Sequence, residues 1–232
     1  MKLFFLCFLV CLSTFAQDNP EDYFESRIYE VGITYSIPQG QYLKGIQSDK
    51  SAENALGFSG SYLINPFKNV GNLSLVFIGP EFNFEGLRQN TFNAPVNTDG
   101  FYAKHSSFSL RAKVKYVPIL VSKKILPSLS FSIGPRRFSS KLMEQIGEDQ
   151  IQKVDGISAT ALSYAFEAGI EIRRPGKTKK YGKISLAYEL ANAVKTWNRD
   201  LLGFDPQYVL ISPVKVVSPS SIMLKIQLIN YR

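Results

Sequence analysis

The sequence predicts an all-β protein: an eight-stranded antiparallel transmembrane β-barrel with short periplasmic turns and long extracellular loops. Three observations carry this. Segments of roughly a dozen residues alternate apolar and polar side chains with period two, which is strand periodicity. Their number is even, and the connections between them run long, short, long, short along the chain. After the N-terminal segment there is no uninterrupted apolar run of the ~20 residues that a membrane-spanning helix needs.

The first 16 residues read as a signal peptide. Lys2 precedes the apolar run Leu3–Leu12, and Thr14-Phe15-Ala16 supplies the small residues of a cleavage site. The apolar run is too short for a spanning anchor. Cys7 and Cys11 both lie inside it, without the small residues that precede a lipid-modified cysteine. The mature chain therefore offers no disulfide, thiol nucleophile or thiolate metal site. Residues 17–25 are a polar, acidic periplasmic lead-in, and 26–232 form the barrel domain. Hydrophobic residues make up 45% and aromatics 13%, the composition of an ordered chain. The net charge of +8 is spread over strands and turns rather than gathered on one stretch, which argues against a nucleic-acid partner.

The strands follow in order. Residues 26–37 place Tyr29, Val31, Ile33, Tyr35 and Ile37 on one face, with Glu30, Gly32, Thr34 and Ser36 on the other. Residues 55–64 alternate Leu56, Phe58, Tyr62 and Ile64 with small residues. The third strand, 73–86, opposes Val76, Ile78, Phe82 and Phe84 to Gly79, Glu81, Asn83 and Glu85, and Pro80 within it predicts a bulge or an unpaired position. The fourth, 106–119, is the most regular: Phe108, Leu110, Ala112, Val114 and Tyr116 alternate with Arg111, Lys113 and Lys115. Strands at 126–138, 157–173, 181–191 and 221–231 complete the set. The long loops fall at 38–54, 87–100, 139–156 and 192–219, the third with enough Glu, Gln and Leu for a short helix. The short turns carry Lys68, Lys123, Lys124, Arg173, Arg174, Lys177, Lys179 and Lys180.

On the polar faces, carboxylates and cations occur in similar number: Glu30, Glu81, Glu85, Glu167, Glu171 and Glu189 against Arg111, Lys113, Lys115, Arg136, Lys183 and Lys225. Charges enclosed in a narrow lumen must be paired, because an unpaired one costs several kcal/mol. These residues are the expected lumenal ion network, with the fourth strand's cations meeting carboxylates of the third, sixth and seventh. A soluble lipocalin-like periplasmic binder would invert the faces. Aromatic placement favours the membrane barrel: Tyr35, Tyr62, Phe67, Tyr102, Tyr116, Tyr181, Trp197 and Tyr231 fall near strand ends, as interfacial girdles require.

Several short segments resemble the outer-membrane β-barrel domain family of Bacteroidetes-type bacteria, which includes PorT-like proteins. They are Leu56-Gly57-Phe58-Ser59-Gly60, Tyr116-Val117-Pro118-Ile119-Leu120, Ser132-Ile133-Gly134-Pro135 and Ala168-Gly169-Ile170-Glu171, in the family's order. The chain departs from the family in lacking an acidic residue before Pro118 and a terminal aromatic after Tyr231. The resemblance implies the fold and an outer-membrane location, and no single activity.

No cofactor, metal site or catalytic residue is expected. His105 is the sole histidine. It shares a strand face with Ser107, and Glu85 is a candidate neighbour. That set would suit an outer-membrane lipid-modifying enzyme, but one histidine beside a serine is a common coincidence. The expected function is a small structural or adaptor barrel whose loops or turns bind envelope or secretion components, with outer-membrane lipid around it. A narrow pore or solute-uptake barrel is the second reading, and a lipid-modifying enzyme the third.

Overall fold

The computed structural model describes residues 27–39, 55–67, 75–92, 101–118, 124–146, 150–177, 179–197, 203–204, 210–211 and 214–232. The expected signal peptide 1–16 and lead-in 17–25 lie outside the described residues. Twelve strands occur among those described: β1 (Arg27–Gln39), β2 (Ala55–Ile64), β3 (Val76–Phe92), β4 (Phe101–Tyr116), β5 (Ile125–Ile146), β6 (Gln150–Arg173), β7 (Lys180–Ala191), β8 (Val194–Trp197), β9 (Gly203–Phe204), β10 (Leu210–Ile211), β11 (Val214–Val217) and β12 (Ser220–Tyr231). Eight of them close into one barrel in the order β1-β12-β7-β6-β5-β4-β3-β2, each neighbour antiparallel. Closure leaves no edge strand inside the bilayer, and the ladders pair the backbone around the wall except for short gaps where Pro80 faces β2 and Pro135 faces β4.

The register sets the barrel's width. Carried once around the eight ladders, it returns ten residues away along β1. That stagger tilts the strands by about 40° and leaves an interior that side chains fill. Close approach of the strands is visible at Gly79, where an added Cβ would lie 2.0 Å from the Tyr62 carbonyl oxygen. No larger residue fits there without moving β2.

The wall is inside-out relative to a soluble barrel. Leu56 is 67% exposed, Ile33 62% and Leu186 58%, while Glu30, Glu171, Lys113 and Lys225 are buried. A belt of this kind is stable only against hydrocarbon, which excludes the lipocalin-like alternative, where the apolar face is interior. Together with the closed eight-stranded fold, it places the chain in an outer membrane, with the short turns on the periplasmic side. We expect Leu186→Lys, near the middle of the belt, to lower stability by about 2–4 kcal/mol in vesicles, the cost of a cation at the bilayer midplane. Reversible urea unfolding would measure it, and a change within ~0.5 kcal/mol, as at a water-facing site, would contradict the lipid exposure.

The structure corrects several boundaries. Residues 139–156 are not a loop with a short helix: β5 runs to Ile146 and β6 starts at Gln150, with Lys141 opposite Gly156 and Glu144 opposite Gln152. Cross-strand pairing overrides the weak helical propensity of this segment. Likewise β3 continues to Phe92 and β4 begins at Phe101, ending at Tyr116 rather than Ile119. A sheet of β3, β4, β5 and β6 thus extends past the outer ends of β2 and β7. The expected 192–219 loop contains two short ladders, β8 with β11 and β9 with β10. Pro80 is opposite Ala112 of β4 and has no pairing partner on β2, without a shift of register; the irregularity lies instead between Leu87 and Asn90. Of the expected girdle, Tyr35 and Tyr62 face outward, but Tyr181 and Tyr231 point into the lumen. The side chains of Tyr102 and Trp197 lie outside the described set.

The lumenal ion network as candidate functional site

Strand parity delivers the charges to the interior. Odd positions of β4 face inward because its even positions, Phe108, Leu110 and Val114, are held against lipid. The same alternation turns Glu81 and Glu85 of β3, Arg136 of β5, Glu167 and Glu171 of β6, Lys183 and Glu189 of β7 and Lys225 of β12 inward. Six carboxylates and six Lys or Arg side chains are buried among the described residues, so the lumen is electrically balanced.

The contacts form one continuous chain along the barrel axis. At the periplasmic side the Tyr231 hydroxyl donates to Glu171 Oε2 at 2.5 Å, and Lys115 Nζ lies 2.6 Å from Glu171 Oε1. Lys115 also donates to Glu30 Oε1 at 2.7 Å. Glu30 receives Lys113 at 2.9 Å and the Ser61 hydroxyl at 2.6 Å. Lys113 reaches Glu81 and Glu167, each at 3.5 Å. Lys225 bridges the same two carboxylates at 2.8 and 2.9 Å, and Lys183 donates to Glu167. Farther out, Arg111 lies 2.8 Å from Glu189 and 3.5 Å from Glu81. Arg136 closes the chain on Glu189 at 2.9 Å and Glu85 at 2.8 Å.

All twelve charged residues that the sequence places on the polar faces lie in this lumen, and the structure adds Ser61, Ser107 and Tyr231. Glu30 of β1, expected only as a member, is a principal partner of β4's cations alongside the strands named for that role. Glu85 anchors Arg136, and Tyr231 caps Glu171. Ser107 accepts from both Nε and Nη2 of Arg136 at 3.2 and 2.9 Å. Tyr231 was legible in principle, because it shares the parity of Lys225 and Gln227.

Two apolar layers bound the network. Toward the short turns, Ile28, Leu63, Phe77, Val117, Ile229 and Tyr231 fill the section. The Phe77 and Tyr181 rings meet Tyr231 edge-on at 6.2 and 5.3 Å. Toward the long loops, Ala55, Phe138, Ala161, Val194 and Val217 cluster. The Ser/His/carboxylate set considered from sequence is not assembled: His105 Nδ1 lies 2.6 Å from the Ser140 hydroxyl, while Ser107 and Glu85 are both engaged by Arg136. Among the described residues no group of three His, Cys, Asp or Glu is placed to hold a metal ion.

No protein-family model matches the chain, and no curated protein matches it in sequence. Solved structures are similar in fold. A major outer membrane protein from Thermus thermophilus is 10% identical with a TM-score of 0.54, over 89% of this chain and 99% of that one. Neisserial surface protein A is 10% identical with a TM-score of 0.46, over 90% and 98%. Ail of Yersinia pestis, solved with the heparin analogue sucrose octasulfate, is 16% identical with a TM-score of 0.42, over 88% and 99%. The Thermus likeness supports the fold alone. The chain is a small transmembrane barrel of the outer-membrane type.

Proposed function

We propose that this is a closed, non-catalytic barrel whose work is done by its two ends, as an adaptor that binds envelope or secretion components. One observation carries the reading: the lumen is occupied along its length by a charge-balanced network, with an apolar layer at the periplasmic side. A solute path would need either mobile charges or an open section. Charges tied to two or three partners each favour neither. The sheet of β3 to β6 beyond the belt and the basic short turns then remain as the surfaces for recognition. The resemblance to PorT-like proteins points the same way, toward secretion components.

Two measurements test this. In planar bilayers the reconstituted barrel should give no steady current, and stable channels would defeat the adaptor reading in favour of a pore. Capture of the intact barrel from cross-linked native outer membranes should recover a defined envelope protein. Recovery of lipid alone would remove the partner.

A further inference from the structure

Because the lumen is balanced, the chain's net charge of +8 resides elsewhere. At the periplasmic rim Arg27, Arg174, Lys177, Lys180 and Arg232 are exposed. Glu30 and Glu171, the described carboxylates nearest that level, both point inward to Lys115. The cations are held on a fixed frame. Arg27 and Arg232 exchange backbone hydrogen bonds at 2.6 and 2.8 Å, and the Arg174 amide donates to the Lys180 carbonyl at 2.9 Å. Lys180 stands opposite Asn230 of β12, and Asn230 opposite Tyr29 of β1. The Arg232 guanidinium lies 5.9 Å from the Tyr29 ring centroid.

A second feature adjoins this arc. Gly182, two residues above Lys180 on the lipid-facing side of β7, has nothing within 4 Å of where a Cβ would stand. Its partners across the ladders are Ile172 of β6 and Leu228 of β12, and both are about half exposed. Ile184 follows it on β7, 55% exposed. The apolar wall therefore has a notch one side chain deep, open at its lower end toward Lys180 and Arg174.

We propose that the notch and arc form a seat for one anionic phospholipid of the periplasmic leaflet. An acyl chain lies over Gly182 between Ile172 and Leu228, and the phosphate meets Lys180, Arg174 and Arg232. Lysine and arginine stems suit this position, since they lie along the apolar wall while the charged heads reach the headgroup layer. The continuity of the cations with the lipid belt favours a lipid over an acidic protein, which would not need the notch.

Native mass spectrometry of the intact barrel, released from mixed phosphatidylethanolamine and phosphatidylglycerol micelles, tests this. The wild type should retain one phosphatidylglycerol. The Arg174→Gln/Lys180→Gln variant should retain it about 30-fold less, at the usual worth of two basic residues near a membrane surface. Gly182→Leu should also lose it with every cation in place, and Lys153→Gln at the opposite end should behave as wild type. All sites are on the exterior, and the heat-dependent mobility shift of a folded barrel verifies each variant. Equal retention by wild type and the double variant overturns the proposal. Retention by Gly182→Leu also overturns it, leaving diffuse surface charge. So does a preference that emerges only after Glu21→Gln, Asp22→Asn and Glu25→Gln, which would make the chain's own lead-in the occupant.

Discussion

Replacing Lys113 with methionine should lower the unfolding free energy of the barrel by about 3–5 kcal/mol, the usual cost of breaking a buried ion pair from one side. Methionine keeps most of the side-chain volume and removes the charge. Lys113 Nζ lies 2.9 Å from Glu30 and 3.5 Å from both Glu81 and Glu167, and all four side chains are shut off from solvent. Losing the cation leaves Glu30, Glu81 and Glu167 with only Lys115, Lys183, Lys225 and Arg111 among them and the sealed lumen one positive charge short of balance. An exposed pair of the same geometry would be worth only about 0–1 kcal/mol. Adding Glu167→Gln to Lys113→Met should recover part of the loss, since the second change removes one negative charge and restores the balance. The two effects then fall short of additivity by about 1 kcal/mol or more, as expected for residues in one network. Urea unfolding in vesicles reads both values. A loss under ~1 kcal/mol for the single variant would mean a hydrated lumen and would undo the argument for a closed barrel.

Truncation of the periplasmic layer should be comparably severe. Phe77 is fully buried and meets Tyr231 edge-on at 6.2 Å. Phe77→Ala should cost about 3–5 kcal/mol through lost burial and the cavity left behind. The same variant should remain silent in a planar bilayer, because Lys115, Glu30 and Lys113 still span the section above it. Steady current from Phe77→Ala would make the apolar layer, rather than the ion network, the barrier. A stability change under ~1 kcal/mol would show that the layer collapses around the gap.

The eight barrel strands and the division of their residues between two faces were legible because both follow from period two. Arg111, Lys113 and Lys115 alternate with Phe108, Leu110 and Val114, and no other conformation puts those sets apart. The outer ends of the strands were less legible. Past the lipid belt, as at Ser139–Glu144, each face mixes polar and apolar residues, with Leu142 on one and Met143 on the other, so alternation fades while pairing continues to Ile146. The inward turn of Tyr181 and Tyr231 was hidden for another reason. An aromatic near a strand end suits a girdle as well as a lumenal seal, and only its parity with Lys183 and Lys225 distinguishes them. The Ser140 partner of His105 lies 35 residues away and depends on the register of β4 with β5.

By itself, the sequence determined that this chain is a strand protein with one apolar and one charged face per strand. It also determined that carboxylates and cations share the charged face. Those are local properties of alternation and composition. The tertiary structure decided which carboxylate meets which cation, because the pairing depends on the ten-residue stagger of closure, which no single strand encodes. It also decided which face met lipid. Alternation is symmetric between a barrel greasy inside and one greasy outside, and the symmetry is broken by volume. An eight-stranded lumen takes small residues and interlocked ion pairs, and leaves Val31, Ile33, Leu56 and Leu186 to the bilayer.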